Sequence, residues 1–405
     1  MSKNPLELAE RMSSIAESAT LRMAAAAREL AAKGHKVYNF AAGEPDFPVP
    51  STVKAALIKS VEKDQNKYTP VPGIAELRGR IARKLKEENG LEYRPDQVVV
   101  SSGAKQAVYN FLMATVNAGD EVLISTPYWV SYPEMVKIAG GIPVIVETSV
   151  ATGCKMTPQQ LKGALTPRTR AVILNSPSNP AGVVYSREEF AALAQVLEGT
   201  RVLVLSDEIY EKIIFDGKFC SFGTVSSDAF SRTITVNGFS KAYSMTGWRL
   251  GYAAGPKAIM DAMAVLQGQS TSGASSIVQY AALAALELTD SDLKPMAEAF
   301  RRRRDRMAEI FSACPHLSFL SPAGAFYLFL NVERVLGAQY NHDEIIATSD
   351  DLALLLLNAY HVSTVAGAGF GTPGFLRLSF ACADADVEEG SRRIVEAVNR
   401  LAGRG

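Results

Sequence analysis

The middle of the chain alternates short apolar runs with stretches of helical length. The apolar runs are rich in β-branched residues and predict buried strands at 97–102, 121–125, 142–147, 171–175, 201–208, 233–238 and 250–254. Segments such as 186–199 separate most of these runs and have the length and polarity of helices. This alternation predicts an α/β fold with a mostly parallel central sheet and helices on both faces.

The pattern changes after the last of these runs. Residues 295–312 predict a long charged helix, and its four consecutive arginines at 301–304 are interpreted as a solvated face rather than a nucleic-acid patch. From Leu317 onward, strand-like and helical segments alternate as in a smaller α+β domain. We therefore predict a large domain over 51–299 and a small domain built from 1–50 and 300–405.

Composition excludes several classes of protein. The 405 residues are 47% hydrophobic and 21% charged. The 42 basic residues balance 42 acidic ones, so the chain has no net positive charge that would favour binding to nucleic acid or to an anionic membrane. Four widely spaced cysteines (Cys154, Cys220, Cys314 and Cys382) fit neither a disulfide framework nor a metal site. The first residues lack the apolar core of a signal peptide, and no apolar run approaches the roughly 18 residues of a span. These features predict a cytoplasmic globular protein.

Candidate chemistry lies where the predicted strands end, which is where open α/β sheets bind ligands. Asp207 follows one strand, and Tyr210 lies three residues later, on the same face of an expected helical turn. Asp207 is either a helix N-cap or a partner for a cationic ring nitrogen. Asn179 lies in "NSPSNPAG" after another strand, either in a simple turn or held rigidly by two X-Pro bonds, with a cis bond expected before Pro180.

A third strand is followed by "SGAKQAVYNF", in which small residues open a helix. The backbone N–H groups of Ser102, Gly103 and Ala104 are expected to face an anion, most naturally a phosphate, although a simple tight turn is the alternative. The chain has no Walker P-loop, and no G-x-G-x-x-G follows its first strand, which disfavours a dinucleotide site.

Two cations in apolar company complete the pattern. Lys241 follows Ser240 in "GFSKAYSMTGWRLG", and Arg249 comes eight residues later. A desolvated Lys beside another cation has a lowered pKa and becomes a nucleophile toward carbonyls, and Arg suits a phosphate. An aldehyde, a phosphate, a basic ring nitrogen and a phenolic oxygen together describe pyridoxal 5′-phosphate. Lys241 would form its aldimine, Asp207 would keep the ring nitrogen protonated, and Asn179 and Tyr210 would hold the phenolic oxygen.

Seven motifs in order resemble the class I aminotransferases, over nearly the whole chain. They are "AAGEPDF", "KYTPVPGIAELR", "PYWVSYPEM", "NSPSNPAG", "SDEIYE", "GFSKAYSMTGWRLG" and "GFLRLSFA". The sequence as a whole is most similar to the bacterial aspartate aminotransferase subgroup. The resemblance implies fold type I of the pyridoxal-phosphate enzymes, as a homodimer whose active sites lie at the subunit interface.

The resemblance also implies roles for residues that the patterns above do not single out. Trp129 would stack on the cofactor ring, and Tyr68 would reach the phosphate of the neighbouring subunit's cofactor. Arg377 would clamp the substrate α-carboxylate, which the backbone of Gly43 would also contact. Ser240 is expected among the residues that bind the cofactor.

Substrate choice rests on two positions. In the subgroup, a Lys in a "GGKQ"-like motif binds the distal carboxylate of the substrate, and Lys105 in "SGAKQ" matches this Lys. The alternative is that Lys105 is a solvated residue in the first turn of a helix and has no role in binding. Members that also accept prephenate carry a Lys where this chain has Ala16. The expected reaction is L-aspartate + 2-oxoglutarate giving oxaloacetate + L-glutamate.

Other functions remain open at this point. Within the family, the alternatives are a preference for aromatic amino acids, alanine or prephenate, or another fate of the same carbanion, such as β-elimination or aminocyclopropane formation. A regulatory protein that kept the fold is the non-catalytic alternative. The 50 residues before the large domain show no helix-turn-helix and are not basic, which disfavours it.

Overall fold

The computed structural model describes residues 8–341 and 344–403. Its α-helices are α1 Ala19–Ala32, α2 Ser51–Glu62, α3 Ala75–Asn89, α4 Ala104–Thr115, α5 Ser131–Ile138, α6 Pro158–Ala164, α7 Arg187–Leu197, α8 Ser227–Arg232, α9 Lys257–Gly268, α10 Ser276–Ala285, α11 Asp290–Ser312, α12 Ser349–Tyr360 and α13 Asp384–Ala402. Its strands are β1 Tyr38–Asn39, β2 Val98–Ser101, β3 Glu121–Ser125, β4 Ile142–Val146, β5 Thr169–Asn175, β6 Leu203–Asp207, β7 Thr233–Gly238, β8 Gly251–Ala254, β9 Ser318–Phe319, β10 Tyr327–Asn331, β11 Gln339–Asn341, β12 Glu344–Ile345, β13 Val362–Ser363, β14 Val365–Ala366 and β15 Phe375–Ser379.

The central sheet has seven strands in the order β2-β8-β7-β6-β5-β3-β4. Each of the seven predicted strands is present, and β3 to β7 pair in parallel, while β8 runs antiparallel to β2 and β7. The prediction of an α/β fold with a mostly parallel sheet is confirmed. One detail was wrong: β4 is not a buried strand, because it lies at the sheet edge, where Ile142 and Ile145 are exposed.

A smaller antiparallel sheet, in the order β14-β15-β10-β9, is built from strands that follow the central sheet along the chain. The N-terminal strand β1 pairs in parallel with β13, so residues 38–39 lie beside the C-terminal part of the chain. Helix α11 is continuous through the predicted boundary between 299 and 300. The division into 51–299 and 1–50 with 300–405 stays a prediction.

The arginine run on α11 forms only half of the solvated face that its sequence indicates: Arg301 and Arg302 are exposed, but the next two arginines are not. Arg303 and Arg304 are only 7% and 6% exposed. Arg303 forms ion pairs with Asp46 and Asp384, and Arg304 forms one with Asp216. The run therefore holds α11 against three distant parts of the chain. Its pairing partners could not be predicted because they are remote in sequence.

The helices in residues 8–341 and 344–403 are either too short or too polar to cross a membrane. The same residues contain no cluster of three or more His, Cys, Asp or Glu side chains that could hold a metal ion. All four cysteines are free thiols.

Candidate active site

The carboxyl ends of β5, β6 and β7 meet at one edge of the central sheet. Asn175, the last residue of β5, is in register with Asp207, the last residue of β6. Asp207 is in turn in register with Val236 of β7, and Lys241 follows that strand by three residues. Parallel pairing therefore brings three separate motifs together, as expected for an open α/β sheet.

A cavity of about 450 Å³ opens above this edge. Eleven predicted site residues line it: Gly43, Ala104, Lys105, Trp129, Asn179, Asp207, Tyr210, Ser240, Lys241, Arg249 and Arg377. Ser102 and Gly103 lie just beneath, in the turn before α4, and Tyr68 lies elsewhere on the surface. The volume is within the range typical of small-molecule sites.

Asp207 is a buried carboxylate at the floor of the cavity. The Tyr132 hydroxyl donates a 2.6 Å hydrogen bond to its Oδ2, and the Ile209 N–H donates to its Oδ1 at 3.2 Å. Burial raises the pKa of Asp207 above its ordinary value, although the two hydrogen bonds favour the charged form and lower it. Among the described residues, no cation lies within ion-pair distance of it. The N-cap alternative is wrong, because a turn rather than a helix follows Asp207.

Tyr210 lies in a turn at residues 209–212, not on the helical turn that the sequence predicts. The turn still directs its side chain to the cavity, where its hydroxyl lies 2.9 Å from that of Tyr327. Burial raises the pKa of Tyr210 well above its ordinary value, and the neighbouring Tyr327 adds to the effect. A neutral phenol that can donate a hydrogen bond thus lies beside Asp207.

Lys241 is partly buried, and its Nζ donates a 2.6 Å hydrogen bond to the Gly43 carbonyl. Burial lowers the pKa of Lys241 to about 8; Arg377 and Arg249 add to this shift, and Glu44 and Asp207 oppose it. A substantial fraction of this amine is therefore neutral near pH 8, unlike that of an ordinary lysine. This is the property that a nucleophilic or proton-abstracting amine requires.

Arg249 is exposed, so the predicted buried pair of cations is wrong for this residue. Its guanidinium covers the turn before α4: a side chain at Gly103, where φ is +85°, would lie 2.5 Å from an Arg249 nitrogen. Only glycine permits this close approach. Arg249 is thus held at the cavity wall by a backbone turn while its charge stays accessible from the cavity.

The three predicted anion-facing N–H groups are not equivalent. The Ser102 N–H donates to the Gln106 side chain at 2.6 Å, and the Gly103 N–H donates to the Ser101 carbonyl at 2.8 Å. The expectation that all three face an anion is therefore wrong for Ser102 and Gly103. Ala104 begins α4, where an N–H group is free of the helix ladder and favours negative charge.

Arg377 lies on β15 and is 1% exposed. Its Nη2 donates to the Ala41 carbonyl at 2.7 Å, its Nη1 lies 3.4 Å from Asn179 Oδ1, and its Nε has no partner. No described carboxylate pairs with it. A buried guanidinium without a counter-ion is costly, and a ligand carboxylate would supply the missing charge.

Asn179 is positioned by the preceding loop. Its N–H donates to Asn175 Oδ1 at 2.9 Å, and the Asn175 side chain donates to the Asp207 carbonyl at 2.9 Å. The Asn179–Pro180 bond is cis, as expected. This loop therefore connects the floor of the cavity to Arg377.

Lys105 and Trp129 pack together on the opposite wall. The Lys105 Nζ lies 4.8 Å from the centre of the Trp129 ring, a cation–π distance. The side chain as a whole is exposed at the cavity mouth. Desolvation of its ammonium group lowers the pKa of Lys105, and Arg249 contributes. Like Arg377, Lys105 has no carboxylate partner among the described residues.

Comparison with known proteins places this arrangement in a family. The family described as "Aminotransferase class I and II" matches residues 35–394. The chain belongs to this aminotransferase family. Its resemblance to the class I enzymes is thereby confirmed, and so is the prediction that it is an enzyme of this kind.

Individual relatives match this aminotransferase over almost its whole length. It is 44% identical to the aspartate/prephenate aminotransferase of Cereibacter sphaeroides over 96% of this chain and 97% of that one. It is also 44% identical to the aspartate aminotransferase of Geobacillus stearothermophilus, covering 96% and 98%. The crystal structure of the Rhizobium meliloti aspartate aminotransferase superposes with a TM-score of 0.94 at 42% identity, covering 98% and 100%. The Thermus thermophilus enzyme with maleate superposes with a TM-score of 0.91 at 39% identity, covering 96% and 99%.

Several cavity residues of this aminotransferase escaped the sequence analysis. Tyr132 and Tyr327 hold Asp207 and Tyr210, and Glu44 accepts a 2.8 Å hydrogen bond from Thr246. A polar signal was available for Tyr327, since a phenol within the apolar run "GAFYLFL" needs a partner when buried. Tyr132 lies in the motif "PYWVSYPEM", but no local feature of the sequence indicates that its hydroxyl contacts Asp207.

The residues present fit pyridoxal 5′-phosphate. A buried carboxylate without a cation, Asp207, suits a protonated ring nitrogen. An amine with lowered pKa, Lys241, suits an aldehyde, and the accessible charge of Arg249 over a glycine turn suits a phosphate. The ring nitrogen, the aldehyde and the phosphate are thus each matched by a charged or titratable group that forms no ion pair with another described residue.

Proposed function

We propose that this aminotransferase transfers the amino group of L-aspartate to 2-oxoglutarate, giving oxaloacetate and L-glutamate, with pyridoxal 5′-phosphate as cofactor. The observation that carries the substrate class is the presence of two cations without carboxylate partners, Arg377 and Lys105, on one cavity. A dicarboxylic amino acid can satisfy both. The names of the relatives, which match at 42–44% identity, support the same substrate.

When bound, the cofactor supplies an aldehyde carbon and an electron-accepting ring. Asp207 would hold its ring nitrogen, Asn179 and Tyr210 would hold its phenolic oxygen, and Trp129 would cover its face. The phosphate would be held by Arg249, Ser240 and the N-terminus of α4 at Ala104, with the turn at Ser102 and Gly103 supporting it. A buried, hydrogen-bonded Asp207 keeps a proton at the ring nitrogen more readily than a solvated carboxylate would.

The chain's own groups then act on the substrate. Arg377 binds the α-carboxylate with the guanidinium nitrogens that have no strong internal partner, and Gly43 borders the same space. Lys241 Nζ removes the proton from the substrate α-carbon and later returns it, in the role of general base and general acid. Its neutral fraction near pH 8 is the form that accepts the proton. Arg377 orients the substrate so that this proton faces Lys241.

The distal carboxylate would meet Lys105. Ser18 and Thr20 line the same cavity from the start of α1 and offer hydroxyls for the remaining carboxylate lone pairs. The Thermus thermophilus relative was crystallised with maleate, which is a four-carbon dicarboxylate. A cation on a flexible side chain suits both a four-carbon and a five-carbon partner, as the two half-reactions require.

A substrate panel tests the proposed reaction. The purified holoenzyme should transfer the amino group of aspartate and of glutamate with a kcat/KM at least about tenfold above that for alanine or phenylalanine, because only dicarboxylates satisfy the second cation. Each amino acid is paired with 2-oxoglutarate or oxaloacetate, and product keto acid is measured. A clear preference for alanine, an aromatic amino acid or prephenate as amino acceptor would contradict the assignment.

Replacing Lys105 with Met should selectively weaken dicarboxylates. Met keeps the length and the packing on Trp129 but removes the charge, so kcat/KM for aspartate should fall about 10- to 150-fold, the value of a charge-assisted pair, while alanine changes little. Lys105→Arg, which keeps the charge, is the matched control and should stay closer to wild type. Equal losses for aspartate and alanine would show that Lys105 serves the cofactor or the fold instead.

The enzyme is further proposed to work as a homodimer in the cytoplasm. Tyr68 is fully exposed on the single chain, beside a surface depression formed by residues 66–69 and 273–276. A fully exposed tyrosine is an unusual surface choice, and it fits the family-based role of reaching the neighbouring subunit's cofactor. Free thiols at all four cysteines fit a reducing compartment.

Subunit mixing tests the shared site. Tyr68→Ala and Lys241→Ala homodimers should both be impaired, yet their hybrid has one site with both residues intact. Random exchange at equal concentrations makes about half the dimers hybrid, so roughly a quarter of wild-type activity should return if the sites are shared across a two-fold interface. Native mass spectrometry verifies the exchange. Verified hybrids without recovered activity would show that Tyr68 serves its own chain.

A further inference from the structure

The "SDEIYE" segment contains polar residues that the proposed chemistry does not use. Glu208 follows Asp207 directly, is 1% exposed and does not line the cavity. Its two carboxyl oxygens accept hydrogen bonds from Ser206 Oγ at 2.8 Å and from Ser221 Oγ at 2.7 Å. Asp207 thus faces the cavity, while Glu208 is bound on the far side of the same backbone.

These contacts continue to helix α3. Asn89 donates to Ser221 Oγ at 3.2 Å and to Glu211 Oε2 at 2.5 Å. Lys84, which is 6% exposed, donates to Asn89 Oδ1 at 2.8 Å and forms an ion pair with Glu211. We call Lys84, Asn89, Ser206, Glu208, Glu211 and Ser221 the rear network.

The rear network holds side chains on both sides of Tyr210, since Glu208 and Glu211 both belong to it, and the backbone of these two residues is also hydrogen-bonded. The Glu208 N–H donates to the Val236 carbonyl at 2.9 Å, and the Glu211 N–H donates to the Glu208 carbonyl at 3.0 Å. Asp207 precedes the first anchored residue, and Tyr210 lies between the two anchored residues. The network is therefore attached to the backbone next to both side chains that would hold the cofactor ring.

We propose that the rear network is a positioning device that fixes Asp207 and Tyr210 against the cofactor ring from behind. A buried ion pair is weak evidence for stability, because desolvation offsets its attraction, so a role in geometry explains its presence better. Positioning also explains why the network is attached at two points of one short turn. Displacement by about 1 Å in such a turn can reduce turnover on the order of 100-fold.

The electrostatics of Glu208 agree with this role. Burial raises the pKa of Glu208 to about 8, with Glu211 adding to the shift and the two serine hydroxyls and Lys84 opposing it. What holds Glu208 in place is its hydrogen bonds rather than a direct ion pair. A side chain of the same shape with two hydrogen-bonding ends should therefore replace it.

The test compares Glu208→Leu with Glu208→Gln in the holoenzyme. Leu removes both hydrogen-bonding ends, so kcat should fall at least about tenfold while KM for the amino acid changes less than about twofold, as expected for misplacement rather than lost substrate binding. The apoprotein should bind pyridoxal phosphate at least about threefold more weakly, and the visible absorption band of the holoenzyme should change. Gln should restore most of all three.

Glu121 provides the matched control. It is also buried, at the amino end of β3, where Thr166 and Arg168 hold its carboxylate away from the cavity. Glu121→Leu should lower the melting temperature without changing kcat, cofactor affinity or the visible band. If Glu208→Leu behaves in the same way as Glu121→Leu, the positioning role is refuted.

Ser221→Ala covers the case in which Glu208→Leu does not fold. It breaks the link from Asn89 to Glu208 and leaves the Lys84–Glu211 pair intact, so kcat should fall about three- to fivefold with KM unchanged. An unchanged kcat and cofactor affinity in Ser221→Ala would contradict the proposal. The proposal rests on the proposed cofactor but not on aspartate as substrate. If the substrate panel identifies another amino acid, kcat and KM are measured with that amino acid. Cofactor affinity is measured without any substrate.

Discussion

Lys241→Ala is expected to lower kcat about 10⁴-fold, because the proposed mechanism gives this one side chain the roles of both carbonyl nucleophile and proton-transfer group. The lowered pKa of Lys241, to about 8, and its 2.6 Å hydrogen bond to Gly43 prepare the amine for both tasks. Steady-state kinetics with aspartate measure the loss. The visible absorption band should also disappear once the variant is dialysed against a small amine.

Lys257→Ala is the control for this variant. Lys257 is an exposed residue at the start of helix α9, in an i, i+4 ion pair with Asp261, and it does not line the cavity, so its removal changes the same chemical group outside the site. It should leave kcat and the visible band unchanged. A Lys241→Ala enzyme that keeps more than about 1% of wild-type kcat would refute the role of general base.

Asp207→Ala should lower kcat about 10²- to 10³-fold while the protein still binds cofactor. In the proposed function its buried carboxylate would hold the ring nitrogen of the cofactor, and electrostatic groups of this kind contribute such factors when preorganised. Phosphate contacts and Lys241 would remain, so cofactor content by absorbance should stay measurable. Turnover within about tenfold of wild type would refute the role of Asp207.

Tyr132→Phe provides a graded comparison. It removes the 2.6 Å hydrogen bond to Asp207 but leaves the ring and its packing on Trp129. A hydrogen bond to a charged group is worth about 1.5–3 kcal/mol, only part of which acts on the reaction, so the loss in kcat should be about tenfold or less. A loss in kcat as large as that of Asp207→Ala would show that the carboxylate cannot hold the ring nitrogen without the Tyr132 hydroxyl.

Local pattern predicted much of the large sheet and the chemistry at its edge. Short β-branched runs identified all seven strands, because most strands of this sheet are buried on both faces and must be apolar throughout; the edge strand β4 is the exception. The same runs located Asp207, Asn179 and Lys241, since each lies at the end of a strand or within four residues of it, and strand ends meet at one edge. Trp129, Tyr68 and Arg377 carry no comparable local signal, and the resemblance to the family was needed to select them.

By itself, then, the sequence determined the fold class and which groups we propose as reactive, because both follow from local apolar patterning and from side-chain chemistry. Only the tertiary structure decided which groups meet. It buried Arg303 and Arg304 against remote carboxylates, left Arg249 exposed over Gly103, and joined Lys84 to the turn that carries Tyr210. These contacts link residues far apart in the chain, and their energies depend on burial and on partners that no local pattern records.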